Sequence, residues 1–333
     1  MRREFQGIAA ALLSSCLGGI SVVATRHTVV ELDPLTLALL RYGIGGLCLG
    51  ALFLWLRLPV VERRHRVRIA LLGALFFAGF PVLFNLALAW TTAARGALSL
   101  TTLPLLTLLL AAAMGAEPLT VRKLAGVLLA IAGITLALGG DLAKAPAGAW
   151  RGDLVMLAAA ACGALYNVAS RPLLRVYPPV AFITQAMLAG ALVLALLVLI
   201  AGQPARVTGL VAADWAAVGY LGVIGTALAF WLWTFALEHT TPTRVAVTVA
   251  MNPVVAMGLG FVWLDEAPTL VLAIGTGAVL GGILLTAWPT PQERRRSSLE
   301  AVDRTSASLR QKTLAQTEQG SPWEISRPTA RPD

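Results

Sequence analysis

Thr91–Thr120 reads TTAARGALSLTTLPLLTLLLAAAMGAEPLT, and Thr240–Thr269 reads TTPTRVAVTVAMNPVVAMGLGFVWLDEAPT. The two stretches align without a gap at an offset of 149 residues, from 91 to 240. Identical pairs include Thr91/Thr240, Arg95/Arg244, Pro104/Pro253, Glu117/Glu266 and Thr120/Thr269. The register continues through Gly73/Gly222, Gly126/Gly275 and Gly133/Gly282. Overall identity is low, but the residues that recur carry backbone or charge roles that random apolar sequence rarely aligns. The chain is therefore an internal duplication of apolar helical segments, the pattern of a pseudo-symmetric membrane protein whose halves can rock about a central site. A duplication with a purely structural role is the alternative reading.

Composition agrees. The 333 residues are 57% hydrophobic and 13% charged, against about 25% charged in soluble proteins, and the mean hydropathy is +0.77. Ten windows are long and apolar enough to cross a bilayer: 7–25, 36–56, 69–89, 94–113, 121–139, 152–169, 179–201, 215–237, 245–263 and 269–287. Asp33-Pro34, Glu117-Pro118 and Pro178-Pro179 interrupt the apolar pattern where helices must end. Span 1 is no signal peptide, because Gly18, Ala24, Arg26 and Pro34 recur as Gly163, Ala169, Arg171 and Pro179. The fold class expected is an all-α membrane protein with ten transmembrane helices in two inverted five-helix repeats. The repeats occupy residues 1–140 and 152–288, and a polar, disordered tail occupies 289–333.

The net charge of +9 reflects loop and tail arginines and is no nucleic-acid signal. Arg57, Arg63, Arg64, Arg66 and Arg68 crowd one loop, so both termini are expected in the cytoplasm of a cell (inner or plasma) membrane. With five spans per half, equivalent helices cross in opposite directions. Cys16, Cys48 and Cys162 lack metal or disulfide spacing, and the three histidines sit at helix ends, so no metal and no cofactor is expected. Paired aspartates at membrane depth, HExxH and a Walker A motif are all missing, which argues against an intramembrane enzyme or an ATP-driven pump; no catalytic residue is expected. A small-molecule substrate and membrane lipids are the expected partners.

DPLTLALLRYGIGGL (33–47), LPLLTLLLAAAMGAEPLTVRKLAGVLLAIAGITL (103–136) and MNPVVAMGLGFVWLDEAPTLVLAIGTGAVLGGILL (251–285) resemble the EamA-type domains of the drug/metabolite transporter superfamily. The resemblance covers roughly residues 5–288 and implies ten helices in two inverted repeats. It also implies secondary transport, most often efflux, of a metabolite, amino acid or drug by alternating access. A membrane scaffold without transport is the alternative. Many members carry a Trp near the middle of the first helix of each repeat, where this chain has Gly18 or Gly19 and Gly163.

Several residues are candidates for the substrate or its pathway. Arg41, about five residues inside span 2, suits either a substrate carboxylate or headgroups and helix-end carbonyls; since the resembled family carries Arg here whatever the substrate, the second role is favoured. Pro104 and Pro253 sit mid-span at matching depths, where each frees a carbonyl four residues earlier. Phe84 and Asn85 on span 3, with Trp233 and Thr234 on span 8, combine an apolar wall with directed polar groups. Tyr166, Asn167, Gln185 and Asn252 place polar groups inside spans, facing either a cavity or neighbouring helices. Glu117 and Glu266 are read as acids favoured by the N-terminal end of a helix, with a gate or proton-carrying role as the alternative.

Overall fold

The computed structural model describes residues 2–28, 32–91, 93–142, 148–202, 210–252, 254–255 and 270–288. Pro253, Glu266 and the segment 289–333 lie outside the described residues. The described chain is all-α: α1 (Arg2–Thr28), α2 (Pro34–Trp55), α3 (Arg63–Leu88), α4 (Ala93–Leu100 and Leu103–Ala113), α5 (Val121–Leu142), α6 (Trp150–Leu174), α7 (Pro179–Ile200), α8 (Ala212–His239), α9 (opening with Pro242–Val247) and α10 (Leu270–Ala287). Among the described residues α2, α3, α6, α7 and α8 each suffice, by length and composition, to cross a membrane. Proline sets the helix starts. Pro34, Pro179 and Pro242 occupy first-turn positions, where the missing N–H has no intrahelical partner to lose. Asp33 caps α2 by accepting from the N–H groups of Leu35 and Thr36, both at 3.0 Å.

The close helix pairs join one repeat to the other. α1 packs on α8 and α6 on α3, α2 packs on α7, and α5 packs on α10. These pairings obey the pseudo-twofold relation of an inverted duplication. The recurring glycines have a packing reason. A Cβ on Gly126 would lie 2.8 Å from the Gly282 carbonyl oxygen, and one on Gly133 2.6 Å from that of Gly275. Four glycines thus let α5 and α10 touch backbone to backbone, the small-residue contact that replaces hydrophobic driving force inside lipid.

Two symmetric irregularities interrupt the regular helices. Ala74–Gly79 in α3 and Val223–Leu228 in α8 form π-helical turns, again 149 positions apart. Each begins after a glycine packed against the other repeat. A Cβ on Gly73 would lie 2.0 Å from the Ala186 carbonyl oxygen, and one on Gly222 2.6 Å from Ile44. α4 breaks at Thr101–Thr102, just before Pro104, and α9 tightens into a 3-10 turn at Thr248–Ala250. The irregularity at Pro104 is thus a pair of hydrogen-bonded turn residues between two helical segments. The hydroxyls of Thr101 and Thr102 donate to the carbonyls of Leu98 and Ser99, both at 2.6 Å, and so add to the backbone N–H bonds that Thr101 and Thr102 make to the same carbonyls, at 3.0 and 3.2 Å.

Candidate functional site

The centre of the helix bundle is aromatic. Phe76 and Phe77, in the π turn of α3, meet Tyr42 of α2, Tyr166 of α6 and Phe230 of α8. Phe76 stacks on Tyr166 with ring centroids 4.4 Å apart, and Phe77 meets Phe230 edge-on at 5.1 Å. A π turn shifts the helix by one residue, and here it brings two consecutive phenylalanines into one cluster. Regular α geometry would place neighbours about 100° apart.

Directed polar groups adjoin these rings. Trp233 Nε1 donates to Asn167 Oδ1 at 3.0 Å, joining α8 to α6 with both side chains buried. The Asn167 amide nitrogen is buried without a partner. Thr234 donates to the Phe230 carbonyl one turn back, at 2.7 Å. On the other flank Ser14 Oγ donates to the Ala229 carbonyl at 2.7 Å, and the hydroxyls of Ser15 and Thr248 lie 2.9 Å apart. Asn252 faces α1: a Cβ on Gly18 would lie 3.1 Å from its Oδ1, a buried oxygen with no partner.

The candidates read from the sequence thus separate into groups. Tyr166, Asn167, Trp233 and Thr234 come together. Phe84 stacks on Phe80 at 6.0 Å, a ring that itself lies 5.5 Å from Phe76. Asn85, the next residue, is half-buried. Pro104 is buried beside a small apolar pocket where Thr101, Val249 and Ile131 bring α4, α9 and α5 together. Pro253 lies outside the described residues. Arg41 and Gln185 have structural partners. Arg41 Nε donates to Thr226 Oγ1 at 2.8 Å and Nη2 to the Gly225 carbonyl at 3.2 Å, so it pins α2 to the π turn of α8. Gln185 Nε2 donates to the Arg66 carbonyl at 3.0 Å, near the start of α3.

The glycines that stand in place of the family's Trp are tightly packed. A Cβ on Gly19 would lie 2.7 Å from both the Asn252 carbonyl oxygen and Val255, and one on Gly163 2.8 Å from Leu103. α1 thus lies directly on α9, and α6 on α4, with no room for an indole. Glu117 does serve a helix N-terminus, but that of α9 rather than of its own α5, and it also forms an ion pair. It is buried, accepts from Lys123 Nζ at 2.8 Å, and accepts from the N–H and hydroxyl of Thr243 at 2.9 and 2.6 Å. Thr120, which accepts from the Lys123 N–H at 3.3 Å, serves the start of α5 instead. Ser14, Ser15 and Tyr42 escaped the sequence reading because their partners are distant in the chain.

Comparisons with known proteins place this geometry. A model of the EamA-like transporter family matches residues 5–139 and again 150–288. A probable terminal-alkyne amino-acid exporter of Streptantibioticus cattleyicolor is 32% identical, over 77% of this chain and 88% of that protein. The aromatic amino acid exporter YddG of Ancylobacter novellus is 30% identical, over 83% of this chain and 93% of its own. A solved crystal structure superposes with a TM-score of 0.73 at 26% identity, covering 86% of this chain and 98% of that one. Matched in both halves and along most of its length, this chain belongs to the EamA-like transporter family as an integral, multi-pass membrane protein.

Proposed function

We propose that the protein exports a small organic solute with an apolar or aromatic side chain and a polar head, an amino acid or a close analogue, by alternating access between its two repeats. The observation that carries this reading is the buried Trp233–Asn167 pair set against the Phe76–Tyr166–Phe230 cluster. Apolar walls with a few directed donors and acceptors are how small-molecule sites are built. Asn167 has a free amide N–H for a carboxylate, and Asn252 a free carbonyl oxygen for an ammonium group. Two relatives named as amino-acid exporters support the substrate class.

Purified protein in liposomes, loaded with radiolabelled phenylalanine, leucine or a small polar amino acid, tests the reading. Release and counterflow of an apolar or aromatic amino acid above that of empty liposomes is expected, and substituting Trp233 or Asn167 should reduce it without reducing reconstituted protein. Flux of none of these solutes, or flux indifferent to both residues, would sink the assignment.

A further inference from the structure

Among the described residues two ion pairs join the repeats, and they link equivalent pairs of helices. Arg244, in the first turn of α9, pairs with Glu4 in the first turn of α1. Arg95, in the first turn of α4, pairs with Asp153 in the first turn of α6. Arg95 and Arg244 are equivalent at the offset of 149, while Glu4 and Asp153 open the equivalent helices α1 and α6, one turn apart in the register of 145 that aligns those two helices. Each pair therefore links the first helix of one repeat to the broken helix of the other. Five spans separate the two acids along the chain, so the pairs sit on opposite faces of the membrane.

The placement is not explained by helix electrostatics alone. Acids in a first turn are favoured by the helix dipole, but a cation in a first turn is opposed by it. Here an arginine sits at the disfavoured end of both α4 and α9. The Arg244 side chain is only 1% exposed and also donates to the Thr286 carbonyl at 3.2 Å. Asp153 also accepts from Thr91 Oγ1 at 2.8 Å. A charge held so far from water is costly to leave unpaired, so each pair resists separation of the helices that carry it.

We propose that Glu4–Arg244 and Arg95–Asp153 are the two gate latches of the transport cycle, one for each face, opened in alternation and both engaged in the present conformation. This rests on the alternating-access reading above. Each pair ties a continuous helix, α1 or α6, to the first segment of an irregular one, α9 or α4, so releasing one latch frees the part of α9 or α4 before its irregular turn to move without the rest. The latches differ in exposure. Arg95 and Asp153 are 31% and 22% exposed, whereas in the other pair Arg244 is 1% exposed and Glu4 34%.

The test reads access from each side. In a protein whose Cys16, Cys48 and Cys162 are replaced by alanine, Ser15→Cys on α1 and Ala160→Cys on α6 introduce thiols at positions buried in the present state. A membrane-impermeant maleimide is applied to sealed vesicles of either orientation. Glu4→Gln should raise labelling of the α1 thiol from the N-terminal face about fivefold, and Asp153→Asn should do the same for the α6 thiol from the opposite face only. Exchanging the charges (Glu4→Arg with Arg244→Glu, Asp153→Arg with Arg95→Asp) should return labelling towards the starting level, and this also covers a Glu4→Gln protein that fails to accumulate. Unchanged labelling, a rise from both faces alike, or no rescue by both exchanges would overturn the latches. Labelling does not depend on flux, so face-specific labelling in a protein that moves no solute would count against the transport reading and leave the latches standing.

Discussion

Replacing Trp233 by phenylalanine removes the 3.0 Å hydrogen bond to Asn167 while keeping most of the ring. Trp233 is 7% exposed and Asn167 1%, so water cannot replace the lost donor and Asn167 Oδ1 is stranded. A stranded buried polar group costs about 1–3 kcal/mol, whereas hydrogen bonds between membrane helices average about 0.6 and reach about 1.7 kcal/mol in double-mutant cycles. With this geometry and burial, the coupling between Trp233 and Asn167 is expected in the upper part of that membrane range, about 1–1.5 kcal/mol. The assay is a cycle of Trp233→Phe, Asn167→Leu and the double variant, unfolded by SDS titration and followed by helical circular dichroism. Asn167→Leu cancels the cost of the stranded amide, so the double variant should be less destabilised than the two single losses added together. Additive losses within about 0.3 kcal/mol would refute a direct bond and remove the anchor of the candidate site.

Other expectations are simpler to check. Gly282→Leu should abolish folded protein by fluorescence-detected size exclusion, since its Cβ would lie 2.5 Å from the Gly126 carbonyl oxygen, whereas Gly277→Ala meets nothing within 4 Å and should be tolerated. Thr226→Val removes the acceptor of Arg41 Nε without touching the arginine, and should lower the melting temperature about as much as Arg41→Lys; a silent Thr226→Val would argue that Arg41 serves substrate instead. Trp231→Ala should be better tolerated in transport than Trp233→Ala, because Trp231 is only partly buried and its ring lies tilted against Phe235, whereas Trp233 is buried and bonds Asn167. Deleting residues 294–333 should leave membrane insertion and flux intact, since the family match ends at residue 288.

The repeat, the helices and most of their ends were legible because glycine, proline and charge recur at fixed spacing. Gly126, Gly133, Gly275 and Gly282 were visible as pairs, though not that they face one another across α5 and α10. The π turns were invisible: ALFFAG and VIGTAL have little in common beyond the glycine that precedes each. Tyr166, Asn167, Trp233 and Thr234 could be singled out by chemistry, because an aromatic or amide group inside a span needs a neighbour. Arg41 and Gln185 looked equivalent by that criterion. Their acceptors, at Gly225, Thr226 and Arg66, lie more than a hundred residues away, and no local pattern points to them. Glu4 and Asp153 lie a turn out of register in the offset of 145 that aligns α1 with α6, and had no reason to be matched until the arginines beside them were seen.

The cross-repeat pairing of helices has a consequence for biosynthesis. Ser15 reaches the membrane with α1, but its partner Thr248 follows 233 residues later. At a synthesis rate of about 5–20 residues per second, the early helix waits roughly 10–50 s for its neighbour. Through that interval the α8-facing side of α1 and the glycine face of α5 are open to lipid or to any passing helix. The first half of the polypeptide is inserted long before it can mature, and its survival depends on the second half arriving.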